Sequence, residues 1–238
     1  MIPHDILTLY SAKAIEYLIA LAFLVLFVPF WRYTMGDVRR AVQPARALAR
    51  QRSERRPIEV VEWFRVARDA FYHPGHAWAR IDGSPGIVAI GLDDFAQKLV
   101  GRPRALHLPR IGETVRQGDK AWSIRVDGRA VDMLSPVDGV VTELNTRVLE
   151  SPATIGRDPY VTGWLFKVRT DRFDANRKSL LSGRLVERWL EEETNALRRR
   201  LTPGLGLVLQ DGGLPVDGLA QAVDAERWDQ VAREFLLS

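Results

Sequence analysis

From Phe71 to Thr170 the chain is a succession of short runs rich in Val, Ile, Trp and Ala, each closed by a turn signal, and this pattern most narrows the folds open to it. AWARI and IVAIGL flank DGSPG, AWSIRV and RAVDML flank Asp127–Gly128, and SPVDG leads into VVTEL. β-Branched and aromatic side chains suit a pleated, half-buried surface, while glycine and aspartate supply the backbone freedom that tight reversals need. Short strands at this spacing predict a small antiparallel sandwich or barrel. One helix interrupts them, DDFAQKLVG, with Asp93 or Asp94 as N-cap and Gly101 as its stop.

Ahead of the β region, Tyr17–Trp31 is a run of fifteen residues without a charge. With Ala14, Ile15, Glu16, Arg32 and Tyr33 it reaches about 20 residues, which at ~1.5 Å per residue matches the ~30 Å hydrocarbon layer. Lys13 sits one turn from Glu16 and can pair with it near the interface, and Tyr17, Trp31 and Tyr33 fall where aromatic belts form. From Arg32 to Arg56 eight arginines face only Asp37 and Glu54. Because they follow the apolar run, they fit an uncleaved anchor better than a signal peptide, whose positive charge precedes it. The same placement predicts a single-pass protein of the cell membrane with its body in the cytoplasm.

The resulting organisation is an anchor over 1–35, a basic linker and short helix over 36–70, a β domain over 71–170 and a helical extension over 171–238. Val60, Val61, Phe64, Ala67 and Phe71 suggest the short amphipathic helix. In the extension, Leu181, Leu185, Trp189 and Leu197 are expected on one helical stripe, LGLVLQDGG reads as strand and turn, and GLAQAVDAERWDQVAREFLL reads as one final helix. Trp189 and Trp228 are expected to fill a core between helices and sheet.

The chain has no cysteine, which excludes disulfides, thiolate metal sites and a cysteine nucleophile. His73 and His76 flank Pro74–Gly75, but no third ligand accompanies them, so no metal is expected. Ser135 and Asp132 lack a nucleophile elbow or an oxyanion motif. Phosphate-binding glycine loops and the basic–aromatic pattern of nucleic-acid strands are also missing.

The stretch YHPGHAWARIDG, GIVAIGLDDFAQKLVG, LHLPRIGETVRQGDKAWSIRVDGRAVDMLSPVDGVVTELN and RDPYVTGWLFKVR resembles the glycine cleavage system H protein family. Its landmarks include His76 with Trp78, Gly91, Phe95–Gln97, Gly118–Asp119, Ser135–Pro136, Asn145 and Asp158–Tyr160. The resemblance implies a flattened, mainly β barrel-sandwich hybrid of the lipoyl-domain type, flanked here by a transmembrane helix and C-terminal helices. It also implies a carrier rather than an enzyme: a hairpin lysine holds lipoate, which shuttles an aminomethyl group among partner enzymes. Fifteen residues, Lys120–Leu134, separate the Gly-Asp and Ser-Pro landmarks, as in the family, so a gapless match is direct. The family's Glu-Ser-x-Lys falls on Arg125, Val126, Asp127 and Gly128.

Gly128 has no amine, and the guanidinium of Arg129 beside it stays protonated and cannot be acylated. Lys120, nearest of the five lysines, lies about 26 Å of strand away at ~3.3 Å per residue. Asp127–Gly128 is instead a strong two-residue hairpin turn. His76 and Asp132, the latter matching a family acid near the cleft that receives the arm, are candidates for a retained cleft. The expectation is an unlipoylated, membrane-anchored docking module without cofactor, metal or nucleic acid, working with other protein subunits. The alternative is a lipoyl carrier with another attachment site.

Overall fold

The computed structural model of the protein describes residues 15–30, 58–201 and 215–237. Backbone contacts divide the chain into two units, Met1–Arg55 and Arg56–Ser238. In the first, residues 15–30 form helix α1, exposed along its whole length, with Phe23 and Phe27 stacked at 5.6 Å. Among the described residues no helix is long and apolar enough to cross a membrane. Trp31, Arg32, Tyr33 and the arginine-rich stretch, on which the anchor expectation draws, lie outside them.

The second unit begins with a correction. Where a short helix was expected, Ile58–Val61 (β1) and Phe64–Ala67 (β2) pair as an antiparallel hairpin, with Val61 opposite Phe64 and Glu62 at φ 54° in the turn. The β-branched residues and a burial that alternates in part favour the strand: Phe64 and Val66 are buried, Arg65 between them is half-exposed, and Val60 is 59% exposed.

The β expectation holds. Phe71–Tyr72 (β3), Ala77–Ile81 (β4), Ile87–Leu92 (β5), Thr114–Val115 (β7), Gly139–Leu144 (β10) and Trp164–Arg169 (β11) form a six-stranded sheet ordered β3-β4-β5-β11-β10-β7. Ala105–His107 (β6), Lys120–Val126 (β8) and Arg129–Leu134 (β9) make a second sheet, with β8 in the centre. Trp122 of β8 meets Phe166 of β11 edge to face at 5.4 Å, so the core lies between the two sheets. Gly91 is a landmark for a steric reason: a Cβ there would come within 2.4 Å of the Trp78 indole across the β4–β5 pair.

Helix α2 (Asp94–Val100) follows β5 as expected. The Asp93 carboxylate accepts the Ala96 N–H at 2.8 Å, and Gly101 ends the helix at φ 85°. Short helices α3 (Thr146–Glu150), α4 (Thr154–Arg157) and α5 (Phe173–Asn176) fill the connections around β11.

In α6 (Arg184–Leu201) the buried stripe is Val186, Leu190, Thr194, Leu197 and Leu201. The expected stripe is thus rotated by about one position: Leu185 is 59% exposed, Trp189 is half-buried, and Leu181 lies before the helix. The expected LGLVLQDGG strand lies wholly outside the described residues. The expected final helix is two, α7 (Leu219–Val223) and α8 (Trp228–Leu236). Asp224 breaks them by accepting the Glu226 and Arg227 N–H groups at 3.0 and 2.9 Å, an alternative to helical continuation. Both helices join the core, with Trp228, Val231 and Phe235 buried.

Candidate functional site

The β8–β9 hairpin reverses through Asp127 and Gly128 between the paired Val126 and Arg129. Their φ angles, 45° and 82°, are both positive, as a type I′ turn demands. Among the described residues a Cβ at Gly128 would meet nothing within 4 Å, so a side chain has room there, but glycine supplies none. A lipoyl amide needs a primary amine at this tip, and the residues present do not offer one.

The flanks of the tip are held in place. Asp127 accepts from Arg104 Nε and from Gln221 Nε2 of α7, each at 3.3 Å. The Arg129 guanidinium donates to the Asp229 carboxylate and the Glu226 carbonyl at the start of α8. These partners come from distant sequence and carry no motif, so sequence reasoning missed them.

Of the four described lysines three are engaged elsewhere, and Lys178 lies exposed in the turn that follows α5. Lys120 sits at the hairpin base opposite Leu134, its ammonium 2.9 Å from the Asp132 carboxylate. Lys98 is buried in α2 and donates to the Trp63 carbonyl at 3.3 Å. Lys167 lies between Asp82 and Glu143, at 2.9 and 2.8 Å.

The two expected cleft residues lie on different sheets. Asp132 stands on the three-stranded sheet with Lys120. His76 is fully buried at the start of β4, with φ 63°, and its Nδ1 lies 2.8 Å from Asp93 Oδ2. Its ring stacks on Phe95 at 4.2 Å and against Trp189 at 4.5 Å. Nε2 is buried and has no hydrogen-bond partner among the described residues. Asp93 was legible only as a helix cap, and its second task, orienting His76, depends on the β4–β5 register. On α6, burial pushes the Glu193 carboxyl up. His73 accepts the Gly75 N–H on its own Nδ1, and burial lowers its pKa. Among the described residues no group of three His, Asp or Glu side chains could hold a metal.

The SPVDG landmark anchors a separate polar network. The Ser135 hydroxyl donates to the Val137 carbonyl at 2.7 Å. Asp138 accepts the Gln117 N–H at 2.9 Å and the Asn176 amide at 3.1 Å, tying the segment after β9 to α5. These bonds hold its carboxyl below the usual range. The network is structural: its members bind one another.

The family model described as glycine cleavage H-protein matches residues 70–193. A glycine cleavage system H protein of Carboxydothermus hydrogenoformans is 39% identical over 128 residues, 54% of this chain and 96% of that protein. Its counterpart in Rubrobacter xylanophilus is 38% identical over 128 residues, 54% of this chain and 97% of that one. The crystal structure of a glycine cleavage system H protein from Mycobacterium marinum is 31% identical with a TM-score of 0.41, over 44% of this chain and 87% of that one. With the family model spanning more than half of its residues and such relatives matched almost end to end, the chain belongs to the glycine cleavage H-protein family.

Proposed function

We propose that this protein is an unlipoylated H-type module, tethered at the cytoplasmic face of a membrane, that serves as a docking or scaffolding subunit. The observation that carries this reading is Gly128 at the turn, where a lipoyl carrier needs a lysine. Acylation of an amine is the first step of swinging-arm chemistry, and the tip has no amine. What remains of the family's equipment is a folded body suited to protein contacts, not catalysis. The tether is supported by the uncharged run from Tyr17 to Trp31 and by the exposed apolar surface of α1. Its orientation is supported by the arginines that follow the run.

Intact mass of the protein purified from its native host tests the central point. The unmodified mass is expected, and a lipoyl adduct overturns the reading. Fractionation tests the tether: the protein is expected in membranes after alkaline wash, and release into the wash counts against it. A second reading, a lipoyl carrier in glycine cleavage, is favoured by the identity to H proteins over nearly their whole length. It requires another amine, and peptide mapping of any adduct would name the lysine.

A further inference from the structure

We infer that the C-terminal segment 215–237 covers, from within the chain, the flank of the β8–β9 hairpin on which a partner protein of an H-type carrier would seat. Any protein that receives a group mounted at a hairpin tip must come close beside that hairpin. Here α8 packs on β9, with Trp228, Val231 and Phe235 buried, and α7 reaches the turn itself. Polar contacts fix the cover at its edge: Gln221 to Asp127, Asp229 and the Glu226 carbonyl to Arg129, and Arg233 Nη2 to the Ala130 carbonyl at 3.4 Å.

The cover extends over α2. The Gly218 N–H donates to the Lys98 carbonyl at 2.8 Å, and Phe235 lies 5.6 Å from Phe95. From the other side Arg65 of β2 grips Asp94 through Nε and Nη2 at 3.1 and 2.6 Å, while Phe64 meets Phe95 at 4.9 Å. All seven residues of α2 are buried, Asp94 and Gln97 among them. Residues of these types stay on the surface unless something is brought to pair with them. Both covering elements fall outside the segment 70–193 that carries the family signature.

The occupant of this flank is therefore the chain's own C-terminal segment, and its apolar contacts make the cover permanent rather than a lid. Partners are left the other faces of the body. This inference is independent of the lipoyl question: an adduct on Lys120 would sink the proposed function and leave the cover in place.

Hydrogen exchange tests the idea on the unaltered chain and on Trp228→Ala, whose β9 amides are expected to exchange about tenfold faster than the unaltered chain's while those of β6 hold. In the unaltered chain, amides along β9 are expected to exchange about tenfold more slowly than those of β6, the opposite edge of the same sheet. Equal exchange at the two edges overturns the cover.

Discussion

Asp138 accepts a hydrogen bond on each carboxyl oxygen, which favours the charged form, and the Gln117 N–H, then the Asn176 amide, hold its pKa below the usual value. The folded protein thus binds this proton less readily than the unfolded chain does. The associated stability is present at neutral pH and is lost as pH falls through the ordinary carboxylate range toward the depressed value. Glu193 works in the opposite sense. Burial raises its pKa, so its contribution is favourable in acid and is lost as pH rises through the raised value. Asp138→Asn is expected to flatten the acid limb of the urea midpoint between pH 7 and about pH 3. An acid limb as steep as that of the unaltered protein would count against this role.

At the scale of elements, local requirements were legible and distant ones were not. Asp127–Gly128 announces its turn because few dipeptides tolerate two positive φ angles, and Asp93 and Gly101 mark the ends of α2 within a few residues. Val60, Val61, Phe64 and Ala67 misled because a short apolar run fits a helical period as well as an alternating one. What settles the hairpin is tertiary: the Tyr72 hydroxyl accepts the Ala67 N–H at 2.8 Å, and Tyr160 donates to the Arg65 carbonyl at 2.7 Å. The His76 site was half legible, since the Phe95 and Trp189 rings that enclose it come from other elements. Its keystone is Asp93, which serves a helix and a histidine together. Asp93→Ala is expected to cost roughly 2–3 kcal/mol in urea unfolding, a cap of about 1 kcal/mol plus the burial of a second unpaired imidazole nitrogen. A loss near 1 kcal/mol would mean that only the cap matters.

At the scale of the whole second unit, the sequence on either side of the family segment packs into the family core. The Arg65–Asp94 pair is the firmest such link, joining residues 29 positions apart, with the Asp94 side chain fully buried and that of Arg65 32% exposed. Without the guanidinium the buried Asp94 carboxylate keeps only the Lys98 ammonium at 3.6 Å and the backbone N–H of residue 65, so the loss falls short of the roughly 3 kcal/mol of an unpaired buried charge. Arg65→Ala is therefore expected to lower stability by about 2 kcal/mol in a single cooperative transition. Two separated transitions would show that β1–β2 is an appendage. The family landmarks were legible because they are written contiguously, whereas the cover was not, because its partners are scattered from Phe95 to Ala130.

The same junction bears on how this molecule can be dissected. A fragment cut to residues 70–193 would keep every family landmark yet lose Arg65, Phe64, Trp228 and Phe235. It would bare the Phe95 ring and deprive Asp94 of its guanidinium, giving a sticky, weakened piece. Its self-association would then reflect the scissors rather than the biology.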